Sequence, residues 1–328
     1  MHAAAINLRG GVSPRNTYLR GQSIIEYVLV IAIIGLVIVF AGPGVAGAIR
    51  NQFNLVGNTV NNGTTGGTEG GASGGGSTGT ASATVQAAVA KDAKDWTLDE
   101  QKAVAEDIAA KGEASPAYSK AKAAMDAGTK FSMKLTDGKT LEYRIIGINH
   151  DDSADGSSKA GLTFLTTSTG IGSSMNATIT NAGGWEKSEL RAKMNSCEIW
   201  NLMPADFQSK VKSVTKLTNN VDGKTKDAAV TATTDKLFLL SYSEIVPTSY
   251  WASDYPWTSS EGTQYEAFKG KVTENNSSNS AIATGYFWLE RSVYPNSSYD
   301  FLCVTGDGGP SYSYSATGSF CIFPAWCF

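Results

Sequence analysis

The sequence predicts an α+β fold that begins with a long N-terminal hydrophobic helix and ends in a mixed α+β domain. The 23 residues between Glu26 and Arg50 carry no formal charge. Residues 61–83 are rich in Gly, Ser and Thr and have no apolar periodicity, which is typical of a linker. Beyond Lys130, short alternating apolar runs indicate β-strands. A chain of 328 residues has room for two or three such parts.

The uncharged stretch is long enough to cross a membrane. At about 1.5 Å per residue, a helix of this length spans a hydrocarbon core of roughly 30 Å. Arg9, Arg15 and Arg20 precede it without any acidic residue, so the positive-inside rule predicts a cytoplasmic leader over residues 1–21. Glu26 lies inside the apolar run and needs a cationic partner, because an unpaired buried charge costs several kcal/mol.

The leader junction carries a recognisable pattern. Gly21 and Gln22, followed by Glu26 and Tyr27 at the start of the apolar helix, resemble the processing site of type IV prepilins, especially the Flp pilins of tight-adherence systems. The resemblance implies that a prepilin peptidase cuts after Gly21 and that residues 22–60 then anchor the chain in the membrane and assemble with other pilin subunits. The new amino group of Gln22 could pair with Glu26 of a neighbour. The alternative is an uncleaved signal anchor.

A small helical segment is expected over residues 84–128. Thr97 and Glu100 form a capping-box pattern, and Ser115-Pro116 marks a second helix start. We interpret this segment as a stalk beyond the linker at 61–83.

Residues 129–328 are expected to form the mixed α+β domain. The runs KFSMKL, LEYRIIGIN and LTFLTT predict strands, with turns at Asp137-Gly138 and Asp155-Gly156. A helix is expected to start at Pro204, and KLFLLSYSEI over 236–245 predicts a further strand.

The last fifth of the chain combines many aromatic residues with Ser, Gly, Thr and Asn, as binding loops of antibodies do. Tyr312 and Tyr314 alternate with serines, so we expect both on one exposed face of an extended segment. Trp257 and Trp288 are expected in the core, and the neighbours of Trp288, Phe287 and Leu289, indicate a buried strand.

The order GGWEKSELR, TDKLFLLSYSEI, WTSS, FWLERS and FPAWCF is similar to bacterial C-type-lectin-like domains, including the variable proteins of diversity-generating retroelements. The resemblance implies a ligand-binding domain with a variable segment of about 286–328. It implies a fixed framework of Trp288, Leu289, Arg291, Ser292, Pro324 and Ala325, although Glu290 interrupts the pattern. The candidate ligand-binding residues are Tyr294, Asn296, Ser298, Tyr299, Asp300, Tyr312, Tyr314 and Phe320.

The sequence offers little for catalysis. His150, with Asp151 and Asp152, is the only internal histidine cluster, and no nucleophile-elbow, zinc-protease or phosphate-loop motif accompanies it. Asp300 and Asp307 lack the spacing of a calcium site. We therefore expect no enzyme activity, no metal and no cofactor.

Two further properties bound the class of protein. A net charge of -3 gives no reason to expect nucleic-acid binding. Four cysteines permit two disulfides outside the cell, with three possible connectivities that the sequence leaves open.

The expected function is that of a pilin-like adhesin or receptor, made as a precursor in the bacterial cytoplasmic membrane and displayed on the cell surface or in a pilus. Its partner would be a protein or glycan on another cell, a phage or a host. The alternatives are a structural pilin subunit with a decorating domain, or a membrane-anchored enzyme with a lectin fold.

Overall fold

The computed structural model describes residues 81–168, 170–247, 251–273 and 278–328. All of them fall within one unit, residues 57–328. In this part of the chain, eight α-helices surround two five-stranded sheets and one two-stranded sheet.

Three helices come first: α1 (Ala83–Ala90), α2 (Leu98–Lys111) and α3 (Tyr118–Asp126). The predicted capping box is confirmed, because Thr97 Oγ1 accepts from Glu100 N and Glu100 accepts from Thr97 N. Helix α2 packs directly against the first sheet, whose strands are given below. A Cβ on Gly161, just before one of these strands, would stand 1.8 Å from the carbonyl oxygen of Ala105 on α2. The helices predicted as a stalk therefore pack against the sheet and contribute to its core.

The first sheet has the strand order β1-β2-β3-β12-β7. Its strands are β1 (Lys130–Lys134), β2 (Thr140–Ile148), β3 (Leu162–Ser168), β7 (Leu237–Phe238) and β12 (Ala325–Cys327), and neighbouring strands are antiparallel. The three strands predicted over 130–168 are confirmed, as is the turn at Gly138, which has φ 84°. Strand β12 lies between β3 and the edge strand β7, and the buried indole of Trp326 packs between Tyr143 and Phe207.

The second sheet has the order β10-β9-β8-β11-β4. Its strands are β4 (Gly172–Ser173), β8 (Trp288–Val293), β9 (Asp300–Val304), β10 (Tyr312–Ser315) and β11 (Phe320–Cys321). Strand β11 runs parallel to β8, and the other pairs are antiparallel. The third sheet pairs β5 (Val214–Asn219) with β6 (Val230–Asp235).

Five short helices connect these sheets: α4 (Gly184–Lys187), α5 (Glu189–Asn195), α6 (Glu198–Leu202), α7 (Ala205–Gln208) and α8 (Tyr242–Ile245). The helix predicted at Pro204 is confirmed as α7, with Pro204 at its N-cap. The single strand predicted over 236–245 is wrong, since only Leu237 and Phe238 are extended and α8 follows. Glu244 starts this helix by accepting a hydrogen bond from Ser241 N, 2.9 Å away.

A buried ionic cluster joins the strands to α8. Arg291 on β8 is fully buried and forms an ion pair with Glu244. The same guanidinium donates to Thr218 Oγ1 at 2.9 Å and to the carbonyl oxygen of Leu239 at 2.8 Å. Lys216, also buried, lies 2.5 Å from Glu244 and 2.6 Å from Asp151. Opposite charges therefore balance inside the domain, which is what makes their burial tolerable.

The predicted fold class is wrong as stated. The described residues form a mixed α and β structure with several sheets, and no helix among them is long and apolar enough to cross a membrane. The longest, α2, has 14 residues and extends only about 21 Å at the usual rise. The leader, the pilin-type helix predicted over 22–60, the processing residues Gly21, Gln22, Glu26 and Tyr27, and the linker up to residue 80 lie outside the described residues. The last residues assigned to the linker, 81–83, are described, and there Ser82 caps α1.

Candidate functional site

Five aromatic side chains, Tyr286, Phe287, Tyr312, Tyr314 and Phe320, lie on or beside the second sheet, and we call them the aromatic face. Tyr286 is 64% exposed, Tyr312 53% and Tyr314 45%. Phe287 is also exposed, and Phe320 is half-buried. Exposed aromatic groups in such number are uncommon on a surface that touches only water.

Four of the five rings form a continuous chain. The ring of Phe287 lies 5.7 Å from that of Tyr312 and 6.1 Å from that of Phe320. Phe320 in turn packs edge-on against Tyr314, with ring centroids 4.5 Å apart. Ring contacts of this kind restrict side-chain motion, so the face presents a largely preformed surface.

Strand register brings these rings together. Tyr312 and Tyr314 are two positions apart on β10, an edge strand, so both point to the same side of the sheet. Tyr312 pairs with Cys303 on β9, which itself pairs with Leu289 on β8. Phe287 precedes Leu289 by two residues and therefore emerges on the same side.

A glycine allows the closest ring contact. A Cβ on Gly318 would stand 2.5 Å from Phe320 Cε2 and 2.8 Å from Tyr314 Cδ1. Either ring would have to move if residue 318 had a side chain. The turn at Gly318 thus sets the relative position of Tyr314 and Phe320.

A groove of about 570 Å³ runs beside the rings. It is lined by Gly170, Ile171, Gly172, Gly285, Tyr286, Phe287, Ser319, Phe320 and Cys321. Glycines and aromatic rings thus form most of its wall, which is the mixture that accepts a flat ring or an extended chain.

The structure brings three of the predicted ligand-binding residues together: Tyr312, Tyr314 and Phe320. The predicted exposure of the two tyrosines is confirmed. Phe287, which the sequence predicts in a buried strand beside Trp288, is exposed instead, and Tyr286 is not among the predicted ligand-binding residues. Consecutive side chains of an extended segment point to opposite sides. The expected burial of Trp288 therefore indicated that Phe287, just before it, points to the other side.

The other predicted residues lie in or at the end of the β8–β9 connection and are held mainly by backbone contacts. Tyr294 is half-buried with its ring 5.4 Å from that of Trp251. Asn296 is exposed at φ 65°, and its N–H donates to Gly223 O at 2.8 Å. The carbonyl of the half-buried Ser298 accepts from Asn181 N at 3.0 Å.

Tyr299 and Asp300 end this connection. Tyr299 is 48% exposed, and its carbonyl accepts from Ala316 N, two residues after Tyr314. Asp300 accepts from Ser297 Oγ at 3.1 Å, and partial burial raises the pKa of its carboxyl. This connection therefore meets the end of β10 and extends the accessible surface beyond the aromatic face.

The histidine cluster forms a second cavity of about 280 Å³. His150 contacts Glu266 at 3.2 Å and stacks on Tyr265, whose hydroxyl donates to Asp151 at 3.0 Å. Burial is the largest single influence and raises the pKa of Glu266, but the hydrogen bond and electrostatic attraction of His150, with hydrogen bonds from the backbone and Lys269, together lower the value to about 2. The charged side chains around this cavity form ion pairs with one another, as in a network that stabilises the fold.

The remaining candidates for site chemistry are the cysteines and metal ligands. All four cysteines, Cys197, Cys303, Cys321 and Cys327, are free thiols. Burial raises the pKa of Cys303 well above its usual value, so that thiol is not an activated nucleophile. Within the described ranges, no group of three or more His, Cys, Asp or Glu side chains could hold a metal ion.

Comparison with known proteins identifies one family. No curated protein and no solved structure matches the chain. Residues 160–328, just over half of the sequence, match the model of DUF6273, described as a domain of unknown function. This range contains the whole aromatic face. The chain therefore belongs to the DUF6273 family.

Proposed function

We propose that this protein is an adhesin or receptor displayed at the bacterial surface, and that its aromatic face binds a protein or glycan ligand. The observation that carries the proposal is the chain of rings formed by Phe287, Tyr312, Tyr314 and Phe320 on one side of the second sheet. Tyrosine supplies a large contact area and a hydroxyl while losing little side-chain entropy on binding.

The chemistry of the face fits recognition better than reaction. Rings can stack on the apolar face of a sugar or on a side chain of a partner, and the tyrosine hydroxyls and nearby serines can exchange hydrogen bonds with it. A face used only to coat a filament would be expected to carry polar side chains where Tyr286, Tyr312 and Tyr314 stand. The structural-subunit alternative therefore has less support.

The test is a binding screen with arrays of glycans and of purified cell-surface proteins, using the full chain and the double variant Tyr312→Ser/Tyr314→Ser. We expect the double variant to bind the ligands of the wild-type protein with at least tenfold lower affinity, or not at all. The thermal unfolding midpoint should change little, because both side chains are about half exposed in the folded state.

A matched control is Ile179→Ser, which removes an apolar side chain that is 67% exposed outside the aromatic face. It should bind as the wild type does. Equal loss of binding in this control, or ligands that bind the double variant unchanged, would refute the proposal.

A further inference from the structure

A cavity of about 300 Å³ opens between the first sheet and the chain that leads into β8. Its wall contains Arg144 on β2, Lys130 on β1, Thr167 on β3 and residues 280–284. Lys130 pairs with Arg144 in the register of β1 and β2, so the two cations lie side by side on one face of the sheet. None of the residues lining this cavity is acidic.

Arg144 is largely withdrawn from water without a matching anion. Its Nη2 donates to the carbonyl oxygen of Ala281 at 2.5 Å, while its Nε is buried without a hydrogen-bond partner. In the described part of the chain, no carboxylate lies within 4.0 Å of this guanidinium, whereas Arg191 and Arg291 each have one. Burial accordingly lowers the pKa of Arg144.

A second polar group of the cavity is also unsatisfied. Thr167 Oγ1 is buried without a partner, although the neighbouring Thr166 Oγ1 donates to the carbonyl of Pro324 at 2.8 Å. Buried donors are almost always bonded in native proteins, so two in one cavity call for a ligand that accepts hydrogen bonds. A charged donor left unsatisfied costs more than a neutral one, which strengthens this argument for Arg144.

We propose that this cavity binds a small anion, a carboxylate, sulfate or phosphate group, through Arg144. The guanidinium offers a planar set of donors that matches two oxygens of such a group. Thr167 supplies a hydroxyl, and Lys130, which also pairs with Glu142 at 3.0 Å, adds positive charge at the rim. The volume accommodates a small molecule carrying the anion.

Isothermal titration calorimetry of the full chain tests this with sulfate, phosphate and succinate, each compared with chloride at equal ionic strength. We expect saturable binding of at least one of them, weakened tenfold or more in Arg144→Met. Lys187→Met, which removes one positive charge from a side chain that is 72% exposed on α4, should bind like the wild type.

Three results would overturn the proposal: no saturable binding of any of the three anions, an unchanged Kd in Arg144→Met, or equal weakening in Lys187→Met. Circular dichroism shows whether Arg144→Met is folded. If it is not, Thr167→Val and Lys130→Met decide instead. Each of these two substitutions should raise the Kd at least threefold, and an unchanged Kd in both would contradict the proposal.

Discussion

The buried carboxyl of Glu261 makes the pH dependence of stability calculable. Its side chain is 1% exposed, and Oε1 accepts from Asn219 N at 2.8 Å. Ser292 Oγ donates to Oε2. Burial is the largest influence and raises the pKa to about 7 from the ordinary 4.5, against the opposing effect of these hydrogen bonds.

The direction of the effect follows from proton binding. Between pH 4.5 and 7 the folded state keeps a proton on Glu261 that the unfolded state has lost. The contribution of this group to stability is therefore fully present below pH 4.5 and is lost as the pH rises through 7. A difference of about 2.5 units, at about 1.36 kcal/mol each, corresponds to a loss on the order of 3 kcal/mol.

Replacing Glu261 with Gln imitates the protonated side chain and keeps an oxygen for Asn219 N. We expect Glu261→Gln and the wild type to have similar free energies of unfolding at pH 4.5. At pH 8 the variant should be more stable by on the order of 3 kcal/mol, because it has no carboxylate to desolvate.

Urea unfolding monitored by tryptophan fluorescence at pH 4.5, 5.5, 6.5 and 8 measures this difference. Glu198→Gln serves as the control, since that side chain is 64% exposed, and it should not change the pH profile. A difference between Glu261→Gln and the wild type that stays constant from pH 4.5 to 8 would refute the reasoning.

Two other substitutions probe the core and the aromatic face. Arg291→Met should lower the free energy of unfolding by at least about 3 kcal/mol or prevent folding, because it leaves Glu244 without its arginine and buried carbonyl oxygens without a donor. Urea unfolding measures this change, and a decrease below about 1 kcal/mol would contradict the prediction. Gly318→Ala should displace Tyr314 or Phe320 and weaken binding of any ligand found for the aromatic face, while the thermal midpoint falls by only a few degrees. Unchanged affinity there would mean that ring placement does not matter.

Local sequence patterns predicted much of the secondary structure. The capping box at Thr97 and the strands over 130–168 depend on residues within a few positions of one another, so a single sequence contains the information. The helix over 242–245 also had a local signal, because Ser241 and Glu244 form a capping box like that of Thr97 and Glu100, but the apolar run before it favoured a strand. The contact of Glu244 with Arg291, 47 residues away, is by contrast invisible to any local pattern.

The candidate site divides in the same way. Tyr312 and Tyr314 alternate with serines, and this pattern alone predicted two exposed rings. The pairing of β8 with β9 and of β9 with β10 decided that Phe287 joins them and that Tyr294 lies elsewhere. The cavity around Arg144 likewise depends on Ala281, 137 residues away in sequence.

The sequence by itself thus determined that helices start after Thr97 and Pro204, that strands lie over 130–168 and that Tyr312 and Tyr314 face water, because propensity, capping and side-chain period act over a few residues. Only the tertiary structure decided that β12 lies beside β3, that Arg291 is buried against Glu244 and that four rings meet on one sheet. The physical reason is that burial and charge pairing are properties of neighbours in space, and those neighbours come from distant parts of the chain.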